Sequence, residues 1–225
     1  MASALAYYPG ETLAAVESEQ PRPYDRGRSL CPLAAQSHTI CHQPKGKIAP
    51  GALLVVTDHI GRSDHAGPLS GRAGALVKAA VSASGWTGPV VYDVAVRCDS
   101  TTVSHRTAVE ACRGYLAQTI EDTEPARIIV LGGSAAESVL GRRVDVASAR
   151  TGFAWLDDLD IPVLFVRPDY QALRNRIYRE ELFDDIAWAV SVEVEPPPLH
   201  DAATLVRTER DALDAEAGLR AGLAF

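Results

Sequence analysis

Four short apolar runs, separated by segments with helical or turn patterning, set the framework of the chain. Ala52–Val56, Pro89–Val96, Arg127–Leu131 and Ile161–Val166 are too short for helices and rich in β-branched residues. They read as strands buried on both faces. After the first run, a polar loop from Thr57 to Ser70 carries breaks at Gly61, Gly67 and Pro68. Gly71-Arg72-Ala73-Gly74 then opens a helix whose apolar positions are Leu76, Val77, Ala80 and Val81. Strand, loop and helix make the ligand-binding corner of an open α/β sheet, because the loop sits at the strand's carboxyl end.

The later segments repeat the alternation. Val109, Cys112, Leu116 and Ile120 recur at helical spacing after the second strand. Gly132-Gly133 closes the third, and Ser134 with Glu137 predicts a capping box for a short helix ending at Gly141. Arg142 to Asp160 is irregular, with a hairpin expected around Thr151-Gly152. Asp169 to Val190 predicts one long helix. Strands alternating with helices predict a three-layer α/β/α sandwich around a central four-stranded parallel sheet.

The ends read differently. Residues 1–27 form an N-terminal extension with one short helix, about Glu11 to Glu19, before Pro21-Arg22-Pro23. Residues 28–190 form the domain, beginning with loop-like text and a turn at Pro44-Lys45-Gly46-Lys47. Pro196-Pro197-Pro198 marks a linker within 191–225. Asp201 to Leu219 then patterns as an amphipathic helix with Leu205, Leu213 and Leu219, either packed on the body or offered to a protein partner.

Composition narrows the class. The chain has 225 residues and a formal net charge of −7, which argues against a broad electrostatic grip on a nucleic acid backbone. Seven acidic residues against three basic lie from Ser191 onward, leaving 19 basic and 22 acidic before it. A local basic groove is compatible with that near balance. No apolar run approaches the roughly 20 residues of a membrane span, and the N-terminus lacks a signal-peptide pattern. The expected compartment is the cytoplasm. There the four cysteines, Cys31, Cys41, Cys98 and Cys112, are metal ligands or buried apolar residues more often than disulfides. Their spacing chooses neither.

The order of motifs adds a family. Cys31-Pro32-Leu33, the strand running into Thr57-Asp58, Gly67-Pro68-Leu69-Ser70-Gly71-Arg72-Ala73-Gly74, Arg97-Cys98 and Glu110-Ala111-Cys112-Arg113-Gly114-Tyr115-Leu116 follow one another. The succession resembles the iron–sulfur, family 4 type of the uracil-DNA glycosylase superfamily, from Cys31 to about Val190. The resemblance implies a DNA glycosylase that flips a base from single- or double-stranded DNA and hydrolyses its N-glycosidic bond. It also implies a four-iron, four-sulfur cluster on Cys31, Cys98, Cys112 and a fourth ligand. The family cysteine before Cys-Pro-Leu is Arg28 here, so Cys41 is the candidate for its role.

The same resemblance places the catalytic positions, each altered. Asp58 stands for the family's glutamate and Leu69 for its stacking phenylalanine. Asp93 is the nearest polar residue to the base-reading asparagine, and Arg167-Pro168 replaces His-Pro. Gly61 belongs to the base pocket, and Arg72 and Ser134 to DNA contacts. His59 and His65 are loop candidates for acid or base work. An ionised Asp93 offers only acceptors, which disfavours ordinary uracil as the substrate. Read without the family, Asp58 is a cap or helix-dipole partner and Arg167 a surface ion pair. Competing readings are a catalytically silent module that binds nucleic acid or protein, and a nucleotide or small-molecule hydrolase on the same fold.

Overall fold

The computed structural model describes residues 33, 41–61, 64, 66–98, 105–156 and 159–194. Cys31, His65, the N-terminal helix at Glu11–Glu19, the proline run and the C-terminal helix all fall outside the described residues.

The elements in chain order are β1 (Lys45–Gly46), β2 (Leu53–His59), α1 (Arg72–Ala83), β3 (Val90–Val96), α2 (His105–Thr123), β4 (Arg127–Leu131), α3 (Gly133–Leu140), α4 (Val146–Ala149), β5 (Phe153–Leu156), β6 (Ile161–Val166), α5 (Asp169–Ala172) and α6 (Arg176–Ser191). They form an α/β fold with one six-stranded sheet in the order β1-β3-β2-β4-β6-β5. The four expected strands are its parallel centre. The expectation of a four-stranded parallel sheet is corrected at both edges, where β1 runs antiparallel to β3 and β5 antiparallel to β6. Both additions are short. Lys45 and Gly46, read as a turn, are a two-residue strand. Gly46 is required there, since a β-carbon on it would collide with the Val90 carbonyl. The hairpin lies between Leu156 and Ile161, not around Thr151-Gly152.

Two further boundaries differ. β2 runs on through Thr57-Asp58-His59, because pairing with β3 extends to His59 opposite Val96. The expected long helix is broken into α5 and α6 at Asn175. Its extended backbone lets its side chain accept a bond from the Ile177 amide at 2.9 Å, which starts a new helix.

Strand alternation feeds two cores. Leu54, Val56, Ile128, Val130, Val163 and Phe165 pack with Leu116 and Ile120 of α2 and with Ala135, Ala136, Val139 and Leu140 of α3. The alternate set, including Leu53, Val55, Ile129, Leu131 and Leu164, is fully buried as well. Helices α1, α5 and α6 pack on one another.

One polar knot lies inside this apolar frame. Arg97 Nε donates to Asp93 Oδ1 at 3.1 Å and its Nη2 pairs with Oδ2. Nη2 also donates to Thr119 Oγ1 at 2.7 Å and to the Tyr115 carbonyl at 3.1 Å. Thr119 Oγ1 and the Val94 amide donate to Asp93 as well, at 2.9 and 2.8 Å. Asp93 is wholly buried and Arg97 nearly so. A buried ion stripped of its partner is far costlier than an apolar replacement of both. Asp93→Asn should therefore lower stability by about 3–5 kcal/mol, read by urea unfolding. The double variant Asp93→Leu/Arg97→Met should lose less than Asp93→Asn alone. A loss under about 1 kcal/mol for Asp93→Asn would mean the knot is not a stability element.

Candidate functional site at the carboxyl ends of the parallel strands

The strand order turns between β2 and β4. From β2 the chain moves outward to β3, then crosses back to β4 and on to β6. In open α/β sheets the crevice outside such a turning point is where ligands bind. Here its two sides are Asp58, on β2, and Gly132-Gly133-Ser134, where β4 gives way to α3.

Asp58 Oδ1 accepts hydrogen bonds from the amides of Ser134 at 2.9 Å and Ala135 at 3.1 Å. The carboxylate therefore caps α3 from another strand, and the helix dipole favours its charge there. The expected Ser134–Glu137 capping box is corrected. The N-cap residue is Gly132, which has no side chain to offer, and Ser134 contributes its amide while its side chain is buried. The helix does end at Gly141, in the left-handed conformation. Gly132 itself has φ +111, and a β-carbon on it would run into the Asp58 carboxylate.

The loop after β2 is closed by a residue that the sequence did not single out. Asp64 Oδ2 accepts from the Gly61 amide at 2.8 Å and Oδ1 from the Gly71 amide at 2.5 Å. One buried carboxylate thus ties the start of the loop to the start of α1. Leu69, expected as a stacking face, has φ 53 and a side chain buried to 2 % exposure. Its backbone lies so close to α1 that a β-carbon on Gly74 would collide with it. Glycine at 74 is a packing requirement. Arg72 stands exposed at the first residue of α1, and His59 is exposed at the end of β2. His42 is buried, and burial and Lys45 together lower its pKa, with Asp64 opposing them.

The third side follows β6. Arg167 Nε lies 2.9 Å from Glu181 Oε2, an ionic contact without hydrogen-bond geometry, and its guanidinium stands 5.1 Å from the Tyr178 ring. Glu181 also pairs with Arg150 at 3.0 Å, and Arg150 grips Asp185. Arg167 therefore belongs to an ion-pair network along α6. Two residues on, Asp169 has its carboxyl pushed up to about 6. Burial is the main cause. The negative charges of Asp64 and Asp58 add to it, and the amides of Tyr170 and Asp169 oppose it. Among the described residues no cation lies within ion-pair distance of Asp58, Asp64 or Asp169.

The structure thus brings Asp58, Gly61, Ser134 and the Arg167 segment to one end of the sheet, and adds Asp64 and Asp169. It does not bring Asp93 there. Asp93 sits opposite Val56 in mid-strand and spends both oxygens on Arg97, Thr119 and an amide. The case against uracil that leaned on Asp93 as an edge reader has no geometry behind it. Asp64 and Asp169 gave little warning, since each is a lone acid in polar text.

Cys98 follows β3 at the same carboxyl end of the sheet. Cys98 and Cys112 share one buried group with Leu33, Val96, Ala108 and Val109. The His42 amide donates to the Arg97 carbonyl at 2.8 Å, which lays the Cys41-His42 strand of chain beside Arg97-Cys98. Cys41 is exposed there. Two of the four cysteines thus fit a thiolate-held cluster, together and shielded from water, with Leu33 two residues past Cys31. Among the described residues no three His, Cys, Asp or Glu side chains already form a metal-holding group.

A scan against protein-family models gives no match, and a comparison with curated proteins gives no significant one. Among the described residues no helix is long and apolar enough to cross a membrane.

The Asp58–Gly132 packing makes a direct prediction. Gly132→Ala should cost about 2–3 kcal/mol, from a left-handed φ and the collision with Asp58. In an Asp58→Gly background the same substitution should cost less, because the collision goes while the φ strain stays. Denaturant unfolding of both variants checks it, and a tolerated Gly132→Ala contradicts the packing.

Proposed function

We propose that this chain is a divergent relative of the iron–sulfur uracil-DNA glycosylases. It hydrolyses the N-glycosidic bond of a deaminated, damaged or modified base in DNA. The observation that carries this reading is Asp58. At the position the resemblance gives to the catalytic carboxylate stands a carboxylate, at the carboxyl end of a parallel strand, with one oxygen held by two amides and, among the described residues, no cation paired to it. Such a group can orient water or support positive charge developing on the sugar.

The rim supports a nucleic acid partner. Tyr170, Leu173 and Ile177 expose apolar side chains along the stretch that follows Asp169 in the chain. Arg174, Arg176 and Arg179 lie exposed on the same stretch. Apolar and aromatic groups interleaved with arginines suit a single strand or an opened duplex, through stacking and phosphate contact. In this reading Cys31, Cys41, Cys98 and Cys112 hold a four-iron, four-sulfur cluster, which would pin the N-terminal segment to the body.

The silent-module reading has its own support. Leu69 is sealed under α1 and Asp93 under α2, so two of the four transferred positions are packing residues. One experiment separates the readings. The full chain is incubated with single-stranded and duplex oligonucleotides, each carrying one altered base, and free base is read by mass spectrometry. The glycosylase reading predicts release from at least one substrate. Asp58→Asn, which keeps an acceptor for both amides, should bind DNA as before and release base about 100-fold more slowly. Binding without release by either protein selects the silent module. For the cluster, protein purified without oxygen should carry about four irons and absorb broadly in the visible. Cys98→Ser and Cys112→Ser should each lose the iron, and iron-free wild-type protein overturns the assignment.

A further inference from the structure

The chain has three lysines among its 22 basic residues, and all three stand around the β1–β3 edge of the sheet. Lys45 begins β1 directly opposite Tyr92, and residues opposed in an antiparallel pair put their side chains on one face. There Lys78, from α1, holds its Nζ 5.3 Å from the centre of the Tyr92 ring. Lys47 follows β1, and its amide donates to the Val90 carbonyl at 3.2 Å. All three lysines are exposed, while Tyr92 is half-buried.

The loop that leaves β2 after Asp58 comes to the same group. A β-carbon on Gly67 would lie 2.8 Å from Lys45 Cε and 3.7 Å from His42 Nδ1, so the lysine stem rests against the loop at a point without a side chain. Gly67 has φ +113, which favours glycine there. Asp64 pins this loop through the Gly61 and Gly71 amides, and the Gly67 amide donates to the Asp64 carbonyl at 3.0 Å. Lys45 is therefore stationed on a fixed loop whose other end meets the strand of Asp58.

The charge of this group is not met from within. Among the described residues no carboxylate lies within ion-pair distance of Lys45, Lys47 or Lys78. Asp64, whose charge His42 feels, gives one oxygen to each of two amides. Burial pushes the Tyr92 phenol pKa up, so the ring brings no negative charge, and its face holds an ammonium without neutralising it. In a chain of net charge −7, ammonium groups gathered without an acidic partner attract an anion from outside. Lysine meets a phosphate as a point charge, with no fixed planar geometry to satisfy. The group is open to solvent and the Gly67 amide is already spent, so it suits one stretch of a longer phosphodiester strand better than a small enclosed phosphate.

We infer that Lys45 and Lys78 bind backbone phosphates of a DNA strand that crosses the β1 edge beside Gly67, with Lys47 extending the track. The inference rests on the DNA-binding part of the glycosylase reading and extends it by giving the strand a course toward Asp58. Free phosphate offers the same chemistry, and the test separates the two sources.

Binding of a fluorescent single-stranded oligonucleotide to the full chain is measured by anisotropy over a series of salt concentrations. Losing two phosphate contacts on a single strand should make the fall of log affinity with log salt shallower by about 1.4. Lys45→Gln/Lys78→Gln should show that shallower slope and bind about tenfold more weakly at low salt. Lys45→Arg/Lys78→Arg keeps both charges and should keep the wild-type slope. In the wild type, the amide signals of Gly67 and Tyr92 should shift and saturate with the oligonucleotide. Inorganic phosphate at constant ionic strength should not saturate them over the millimolar range. An unchanged slope in the glutamine variant overturns the inference and leaves the DNA reading standing. An equal loss of slope in the arginine variant also overturns it, since the charges are kept. Saturation by inorganic phosphate, with the slope unchanged by the glutamine variant, assigns a free-phosphate site and overturns it too. No binding of the oligonucleotide by the wild type at any salt concentration overturns the DNA reading, and the inference with it.

Discussion

The contact between the Asp58 carboxylate and the first amides of α3 holds this fold and its candidate site in one place. It joins β2 to the β4–α3 turn across 76 residues of chain. A helix N-terminus leaves amides without intrahelical partners, and Gly132 supplies no side chain to meet them. The carboxylate that satisfies those donors is the one the resemblance assigns to catalysis. Structural and chemical readings of Asp58 are thus not rivals. A group anchored through Oδ1 is held in a fixed orientation, which is what a catalytic carboxylate at a sugar carbon needs.

Much of the frame was legible because parallel strands buried on both faces leave an unmistakable trace. VVYDVAV, RIIVL and IPVLFV each appear as strands within a residue of their apolar limits. The edges were not legible. Lys45-Gly46 has too few residues to show a period, and its pairing with Tyr92 and Val91 is a tertiary fact. FAWL follows Gly152 closely enough to suggest a hairpin, though the partner strand lies after it. The long final helix broke at Asn175 because a side-chain cap outweighed a continuous helical pattern.

The site was legible at one residue and obscure at others, for a reason that periodicity cannot reach. Asp58 and Gly61 came from the family resemblance, and Ser134, read as a capping residue, lies at the same end of the sheet. Asp93 came from the same resemblance and turned inward, since Arg97 four residues on and Thr119 on α2 supply the partners that a buried carboxylate requires. Asp64 and Asp169 needed three dimensions. Their standing depends on which charges face them, and the groups concerned are separated by up to about a hundred residues. Leu69 illustrates the same limit, because its burial follows from Gly74, a residue chosen for close approach of backbone to helix.

The central proposal is that DNA is handled at the carboxyl end of the sheet, around Asp58. A backbone-amide NMR titration tests it most directly, using the full chain and a single-stranded oligonucleotide with one abasic position, the form left after base removal. The account predicts that the amide signals of Gly132, Ser134, Ala135, Asp169 and Tyr170 move together and saturate with the oligonucleotide. Saturating shifts confined to other parts of the fold, with these five unmoved, would contradict it.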